Sequence, residues 1–395
     1  MSVIMVINSG SSSIKYQLFE MDGEVVLAKG IIERIGTDRG LLRHEGPTGE
    51  HERELPVLDH TAGFRVMVEA CETWGPSLED VGVRGVGHRV VQGGARFVAP
   101  TLIDASVLRV IEQLSSLAPL HNPPNLLGIE AALATLPNVP NVAVFDTAFH
   151  QTMPPVAYTY AIDANLASQY RIRRYGFHGT SHRYVAGIAA DFLGIAFDDF
   201  NAITLHIGNG ASACAIEGGA SIDTSMGMTP LEGLMMGSRS GDIDPGILFH
   251  LHRQAGMSVE QLDDMLNRRS GMLGLAGSLD LRDVQASADR GESRAQLAID
   301  VYACRIRKYI GAYYTVVDPL HAIVFTAGVG ENSAIVRAKA IDGLGRMGIE
   351  LDGERNASPQ RGIRRISTDD SQVQVLVVPT NEELEIARQT NSVIS

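Results

Sequence analysis

The sequence predicts an α/β protein built in two related halves, and three observations point there. Short apolar runs with strand character alternate with helix-periodic segments along the chain. A strand, a small-residue turn and a partner strand occur near residue 10 and recur near residue 209. A chain of 395 residues also exceeds what one hydrophobic core organises, so two domains are expected.

Val3 to Ile7 is an apolar run that stops at Asn8-Ser9-Gly10, the pattern of a buried strand entering a tight turn. Ile14 to Phe19 resumes with near-alternation, which gives a hairpin around Ser9 to Ser13. Helices are expected near 61–73 and 106–117. In the second, Val107, Val110, Ile111, Leu114 and Leu117 fall at helical spacing, with Asp104 upstream as a capping residue. Asn141 to Phe145 reads as a buried strand ending at Asp146, and the stretch through Pro154-Pro155 carries the signals of a domain boundary.

The second half opens on a strand from Ala202 to Ile207, a turn at Gly208-Asn209-Gly210, and a return strand from Ala211 to Ile216. Ser258-Val259-Glu260-Gln261 has the form of a capping box opening a helix. A long helix is expected over about 294–316. A buried strand from His321 to Thr326 runs into a glycine-rich turn, Gly328 to Asn332. Val373 to Val378 is the last strand, and Thr380-Asn381-Glu382-Glu383 reads as a second capping box, Glu383 closing on Thr380, at the head of the terminal helix.

Composition narrows the function. The 33 basic and 46 acidic residues leave a net charge of −13, which argues against a nucleic-acid or anionic-membrane partner. An anionic ligand must then be held by a local cluster of donors. The hydrophobic fraction of 45% and charged fraction of 20% are those of a globular protein, which excludes wholesale disorder. Cys71, Cys214 and Cys304 are scattered without metal-ligand spacing, so neither a disulfide framework nor a zinc site is expected. No segment reads as membrane-spanning, and the apolar N-terminus lacks the basic start of a leader, so a reducing cytoplasmic home is expected.

Three glycine-rich segments each follow an apolar strand: Asn8 to Ser13, Gly208 to Ser212 and Gly328 to Asn332. Small residues let several backbone N–H groups approach phosphate oxygens, although a single such turn more often only reverses the chain. The P-loop pattern is absent. Gly208-x-Gly210-x-x-Ala213 fits a loose dinucleotide fingerprint but leads into a strand rather than a helix, which speaks against a dehydrogenase. Arg89 and Arg239 lie among glycines and small residues, where a guanidinium can reach a carboxylate or phosphate; a structural ion pair suits them equally. His178, Asp146 and Glu382 are further candidates, with packing, turn capping and helix N-terminal charge as their plainer readings. These patterns alone indicate a phosphate-handling α/β protein.

The segments Asn8 to Lys15, His88 to Gly94, Phe145 to His150, Arg174 to His182, His206 to Ser212, Met226 to Gly237, Ser240 to Gly246, Phe325 to Ser333 and Pro379 to Leu384 resemble, in order and over essentially the whole chain, the acetate kinase (acetokinase) family. The resemblance implies two ribonuclease-H-like domains of the actin, sugar-kinase and Hsp70 superfamily with a nucleotide cleft between them, the lobes spanning 1–150 plus 383–395 and 151–382. It implies reversible transfer of a phosphoryl group from ATP to acetate, giving acetyl phosphate and ADP, with magnesium (manganese as a substitute), in a homodimer. By the same resemblance Asn8 and Glu382 would organise the metal and Lys15 would face phosphate. His206, Ile207, Gly208, Asn209 and Gly210 would form a phosphate turn; Asp280, Leu281, Arg282, Gly328, Val329, Gly330, Glu331 and Asn332 would hold adenosine. Arg89 would bind acetate, Val91, Leu120, Phe177 and Pro230 would line its methyl pocket, and Asp146, His178 and Arg239 would be catalytic.

The chain departs from the family pattern in places. Gln92 stands where histidine is usual, Leu281 replaces a phenylalanine, the Gly274 to Asp280 loop is one residue short, and Ser9 stands where some members carry cysteine. Propionate or another short-chain acid is the nearest alternative substrate, since one methylene discriminates by only about 1–3 kcal/mol; Val91 argues for the smaller acid. A pyrophosphate-linked variant and a nucleotide-switched chaperone or filament protein are the remaining alternatives.

Overall fold

The computed structural model describes residues 2–395, which divide into two compact units: 2–149 with Asn381–Ser395, and His150–Thr380. The first unit opens with antiparallel hairpins, β1 (Val3–Ser9), β2 (Ser13–Glu20), β3 (Val25–Glu33), β4 (Thr37–Gly46) and β5 (Gly49–Val57). It continues through α1 (His60–Trp74), a short α2 (Leu78–Val81), β6 (Val83–Val90), β7 (Thr101–Leu102), α3 (Ala105–Leu114), α4 (Asn122–Thr135) and β8 (Asn141–Phe145). Its sheet has the order β5-β4-β3-β2-β1-β6-β8-β7, with β1, β6 and β8 mutually parallel. Parallel strands covered on both faces must be apolar at nearly every position, and β1 and β8 are buried almost throughout.

The expected hairpin forms with Asn8 opposite Lys15 and Ser9 opposite Ile14. Asp104 caps α3, its carboxylate accepting from the Ser106 and Val107 amides. Strands β3 to β5 have no counterpart in the sequence reading. Much of β4 and β5 is polar and solvated, and cross-strand ion pairs line them: Lys29–Glu45, Arg39–Glu54 and Arg43–Glu52, each at 2.8 Å.

The second unit contains α5 (Pro155–Tyr158), α6 (Ala164–Gln169), α7 (Gly179–Leu193), β9 (Ala202–Ile207), β10 (Ala211–Glu217), β11 (Ala220–Thr224), α8 (Gly246–Ala255), α9 (Val259–Arg268), α10 (Gly271–Ala276), α11 (Leu281–Asp289) and α12 (Ser293–Tyr314). Then follow β12 (Ala322–Thr326), α13 (Ala327–Asn332), α14 (Ala334–Ile341), α15 (Gly353–Ala357), β13 (Arg364–Arg365) and β14 (Gln374–Val377). Its sheet order is β11-β10-β9-β12-β14-β13. In both units two antiparallel pairings precede two parallel ones, so β3-β2-β1-β6-β8 and β11-β10-β9-β12-β14 share one topology. The capping box at Ser258 forms as read, with Gln261.

Two local expectations are corrected. Gly328 to Asn332 is not a turn but most of α13, entered through Ala327 at φ 63°. The last helix, α16 (Glu382–Ile394), is capped by Asn381, whose side-chain oxygen accepts from Leu384 N, rather than by a Thr380–Glu383 box. Thr380 is engaged elsewhere, its hydroxyl with Ser181 at 2.8 Å and its amide with Glu331 at 3.2 Å. Because α16 belongs to the first unit, Glu382 does too, whereas the sequence boundary placed it at the end of the second lobe. The helix lies on β6 through two glycines. A Cβ at Gly85 would come within 2.6 Å of Ile394, and one at Gly87 would overlap Thr390 and reach within 2.8 Å of Ile386.

Candidate active site

In the first unit, candidate residues gather at the C-terminal ends of the parallel strands, where open α/β sheets place their ligand sites. Arg89 leaves the end of β6 and Asp146 follows β8, its amide bonded to Val90 O. The pair is bidentate: Arg89 Nε to Asp146 Oδ1 at 3.0 Å and Nη2 to Oδ2 at 2.8 Å. Glu382 Oε2 lies 3.9 Å from the same Nη2. Asp146, and then Glu382, raise the Arg89 pKa against the opposing effect of burial. Burial in turn raises the Glu382 carboxyl, offset by Arg89 and Lys15 and reinforced by Asp146. Lys15 thus belongs electrostatically with Glu382.

Glu382 Oε2 is sealed from solvent and has no hydrogen-bond partner. A carboxylate oxygen buried without a donor is where a cation would be accommodated, and Asn8, at the end of β1, adds an amide oxygen to the same unit. No three His, Cys, Asp or Glu among the described residues converge as a metal cluster. That is compatible with magnesium, which typically takes one or two protein ligands and fills the rest with water and phosphate.

Asn125 and Asn122 were not singled out from sequence, and they brace this region. Asn125 accepts from Val91 N and donates to Ser9 O, tying the tip of β1 to the segment after Arg89. Asn122 accepts from Gln92 N and donates to Gln92 O. Gln92 itself is buried, its Oε1 accepting from Gly94 N and its Nε2 unpartnered. Val91 is half-buried and Leu120 is largely exposed.

In the second unit His178 belongs to a network rather than standing alone. It caps α7 at φ 56° and shares a hydrogen bond with Ser212 Oγ at 2.9 Å. Ser212 also meets His182 Nε2 at 2.8 Å, and His182 Nδ1 meets Thr204 at 2.7 Å. Burial holds His182 well below the ordinary histidine range, hence neutral. The His178 ring stacks on His206 at 4.2 Å, and His206 is held by Ser181 at 2.8 Å. The sequence offered a signal for this, since Ser181, His182 and Ser212 all stand in glycine-flanked or small-residue runs, but not the pairing.

Arg239 is electrostatically the opposite of Arg89. Its Nη1 donates to Pro230 O at 3.2 Å, no carboxylate among the described residues pairs with it, and burial lowers its pKa. A Cβ built on Gly210 would lie 3.5 Å from the His178 ring and 3.7 Å from Arg239 Nη1, so these two side chains flank one glycine. A half-buried guanidinium without an anion, beside a fixed imidazole, is suited to an anionic ligand. Phe177 is buried and Pro230 half-buried nearby in the chain.

A cavity of about 910 Å³ in this unit brings together Gly208, Asn209, Asp280, Leu281, Arg282, Gly328, Val329 and Asn332. Asp280 caps α11 and is pushed down to about 2, chiefly by its hydrogen bonds from Arg282. Gly237, not among the expected nucleotide residues, leaves room for Asn209, whose side chain a Cβ there would overlap. Of the remaining expected nucleotide residues, Ile207 and Gly330 do not line the cavity, a Cβ on Gly330 falling 3.6 Å from Ile207 Cβ, and Glu331 accepts from the Thr380 amide. His206 stands just outside, its Nε2 3.7 Å from the point a Cβ on Gly208 would occupy, and Gly210 sits beside His178. Lys15 lies in the other unit.

Across residues 3–388 the chain matches the model of the acetokinase family. It is 59% identical over 389 residues to the acetate kinase of Leifsonia xyli subsp. xyli, with 98% of each chain covered. Among solved structures it resembles the acetate kinase of Porphyromonas gingivalis at a TM-score of 0.95 and 42% identity, with both chains covered in full (100%). A propionate kinase from Francisella tularensis subsp. tularensis follows at 0.93 and 39%, covering 99% of this chain and 100% of that one.

Proposed function

The chain belongs to the acetokinase family, and from that premise we infer that it catalyses reversible phosphoryl transfer from ATP to acetate, giving acetyl phosphate and ADP. The observation in this structure that carries the mechanism is the contrast between two half-buried arginines. Arg89, oriented by Asp146, is the acetate-binding group. Arg239, unpaired and beside His178, is the group that meets the phosphoryl oxygens.

The transition state of phosphoryl transfer is loose and spreads charge over the equatorial oxygens, so positioning and electrostatics supply the catalysis. Acetate, with a pKa near the ~4.3 of a glutamate side chain, is ionised at neutral pH and needs no general base. Asp146 therefore acts by holding Arg89, and transfer is direct and in line. Val91, Leu120, Phe177 and Pro230 are the proposed methyl contacts. The 910 Å³ cavity is the nucleoside site, with Ile207, Gly330 and Glu331 supporting its wall, and His206, Gly210 and Lys15 directed to phosphate. Open space at Gly328 favours adenosine over a pyrophosphate-linked variant.

Asn8 and Glu382 fit a magnesium ion, which when bound would neutralise phosphate charge; manganese would substitute. A homodimer through the second unit is supported by α8, which buries none of its side chains and exposes Ile247 and Phe249, and by Val156 at 87% exposure. A cytoplasmic location agrees with the free thiols of Cys71 and Cys214 held in the interior, and no helix among the described residues is long and apolar enough to cross a membrane. Trapping the acyl phosphate as hydroxamate with acetate, propionate and butyrate tests the reaction. The expected order of kcat/KM is acetate first, and a higher value for propionate would reassign the substrate.

A further inference from the structure

The cavity of the second unit contains a polar group that the chemistry above leaves unused. Tyr302, in the middle of α12, lines the cavity and is 3% exposed. Its phenol is subject to burial alone; no hydrogen bond or charge from another described residue acts on it. A hydroxyl that lines a cavity without a protein partner is open to bond whatever fills that cavity. The molecule that fills the cavity is the available partner.

A second side chain on the same wall has its orientation fixed. Helix α11 turns Leu281, Gln285 and Asp289 toward the cavity at four-residue intervals. Gln285 Nε2 donates to Asp289 Oδ1 at 2.7 Å. A carboxylate only accepts, so this contact identifies the nitrogen end of the amide and leaves Oε1 as the end offered to a ligand. The wall therefore presents an acceptor that cannot donate and a hydroxyl that can. Adenine carries a 6-amino donor next to ring-nitrogen acceptors, whereas a 6-oxopurine carries an acceptor at that position.

We propose that Tyr302 and Gln285 read the edge of the nucleotide base, Gln285 Oε1 accepting from the 6-amino group and the Tyr302 hydroxyl donating to a ring nitrogen, so that the cavity selects adenine over 6-oxopurines. The proposal rests on the nucleotide-site reading of this cavity. Its test is steady-state kinetics with ATP, inosine triphosphate and purine riboside triphosphate, in the wild type, Tyr302→Phe and Gln285→Leu. In the wild type, loss or inversion of the 6-amino group raises KM. Tyr302→Phe, which removes one neutral hydrogen bond, raises KM for ATP about three- to ten-fold without moving the acetate KM. Gln285→Leu removes the preference for ATP over the inosine nucleotide.

Equal wild-type KM values for the three nucleotides would overturn the proposal, as would a Tyr302→Phe enzyme with an unchanged KM for ATP. The wild-type series decides the matter even if a variant folds poorly. If no nucleotide supports acyl phosphate formation, the function proposed above fails instead. Calorimetric binding of ADP against inosine diphosphate to the wild type then tests the base contact, with tighter ADP supporting it and equal affinities refuting it.

Discussion

Arg239 and Arg89 carry the same group in opposite settings, and their variants should behave differently. Arg239→Ala should lower kcat by about a hundred-fold or more while raising the acetate KM little, the signature of a contact made in the transition state. Unchanged kcat with weaker acetate binding would reassign it to the ground state. Asp146→Asn should instead misplace Arg89, raising the acetate KM by about ten-fold or more, the cost of disturbing a charge-assisted bidentate pair. Its pH–rate profile should parallel that of the wild type; turnover restored at high pH would make Asp146 a base.

Glu382 gives the pH prediction. Its raised pKa means the folded chain keeps a proton that the unfolded chain has lost. The stabilisation from that proton is full below the ordinary carboxylate range and disappears as pH rises through the folded value. Without divalent cation, the stability of the wild type relative to Glu382→Gln should therefore fall with rising pH across that window, while magnesium affinity of the wild type rises. Thermal melts of both proteins over a pH series check this, and a constant difference contradicts it. At this scale the sequence showed which residues were unusual but not their partners. Arg89 and Asp146 are 57 positions apart, and only the parallel pairing of β6 with β8 brings them together.

At the scale of elements, strands buried on both faces were legible because burial demands continuous apolar runs: β1, β8, β9 and β12 are all of this kind. Strands β4 and β5 were not, since a solvated sheet extension held by cross-strand charges leaves no apolar signal. Gly328 to Asn332 misled for a different reason. Glycines suggested a turn, yet Gly330 lies inside α13 against β9, where a Cβ would make only ordinary contacts, and the chain there is helical. The docking of α16 supplies a test. Gly87→Val should place branched carbons against Thr390 and Ile386 and destabilise the protein by about 1–3 kcal/mol in urea unfolding. Since Glu382 begins that helix, half-saturation by magnesium should move to higher concentration. A variant of wild-type stability and metal dependence would show that α16 does not rely on this contact.

At the scale of the whole molecule, the repeated strand–turn–strand theme corresponds to a shared sheet topology in the two units, a likeness the residues themselves only hinted at. The exposed apolar side chains of α8 and Val156 predict an assembly of twice the chain mass in sedimentation equilibrium, and Phe249→Asp should shift it toward monomer. Direct transfer between two bound substrates, without a protein-bound phosphate, underlies every role assigned to the two arginines. Rapid quenching of a single turnover with ATP radiolabelled at the γ-phosphate, in the presence of acetate, measures this. Label should pass from ATP to acetyl phosphate with none on the chain; label that accumulates on the protein before acetyl phosphate forms, or never reaches acetate, would contradict it.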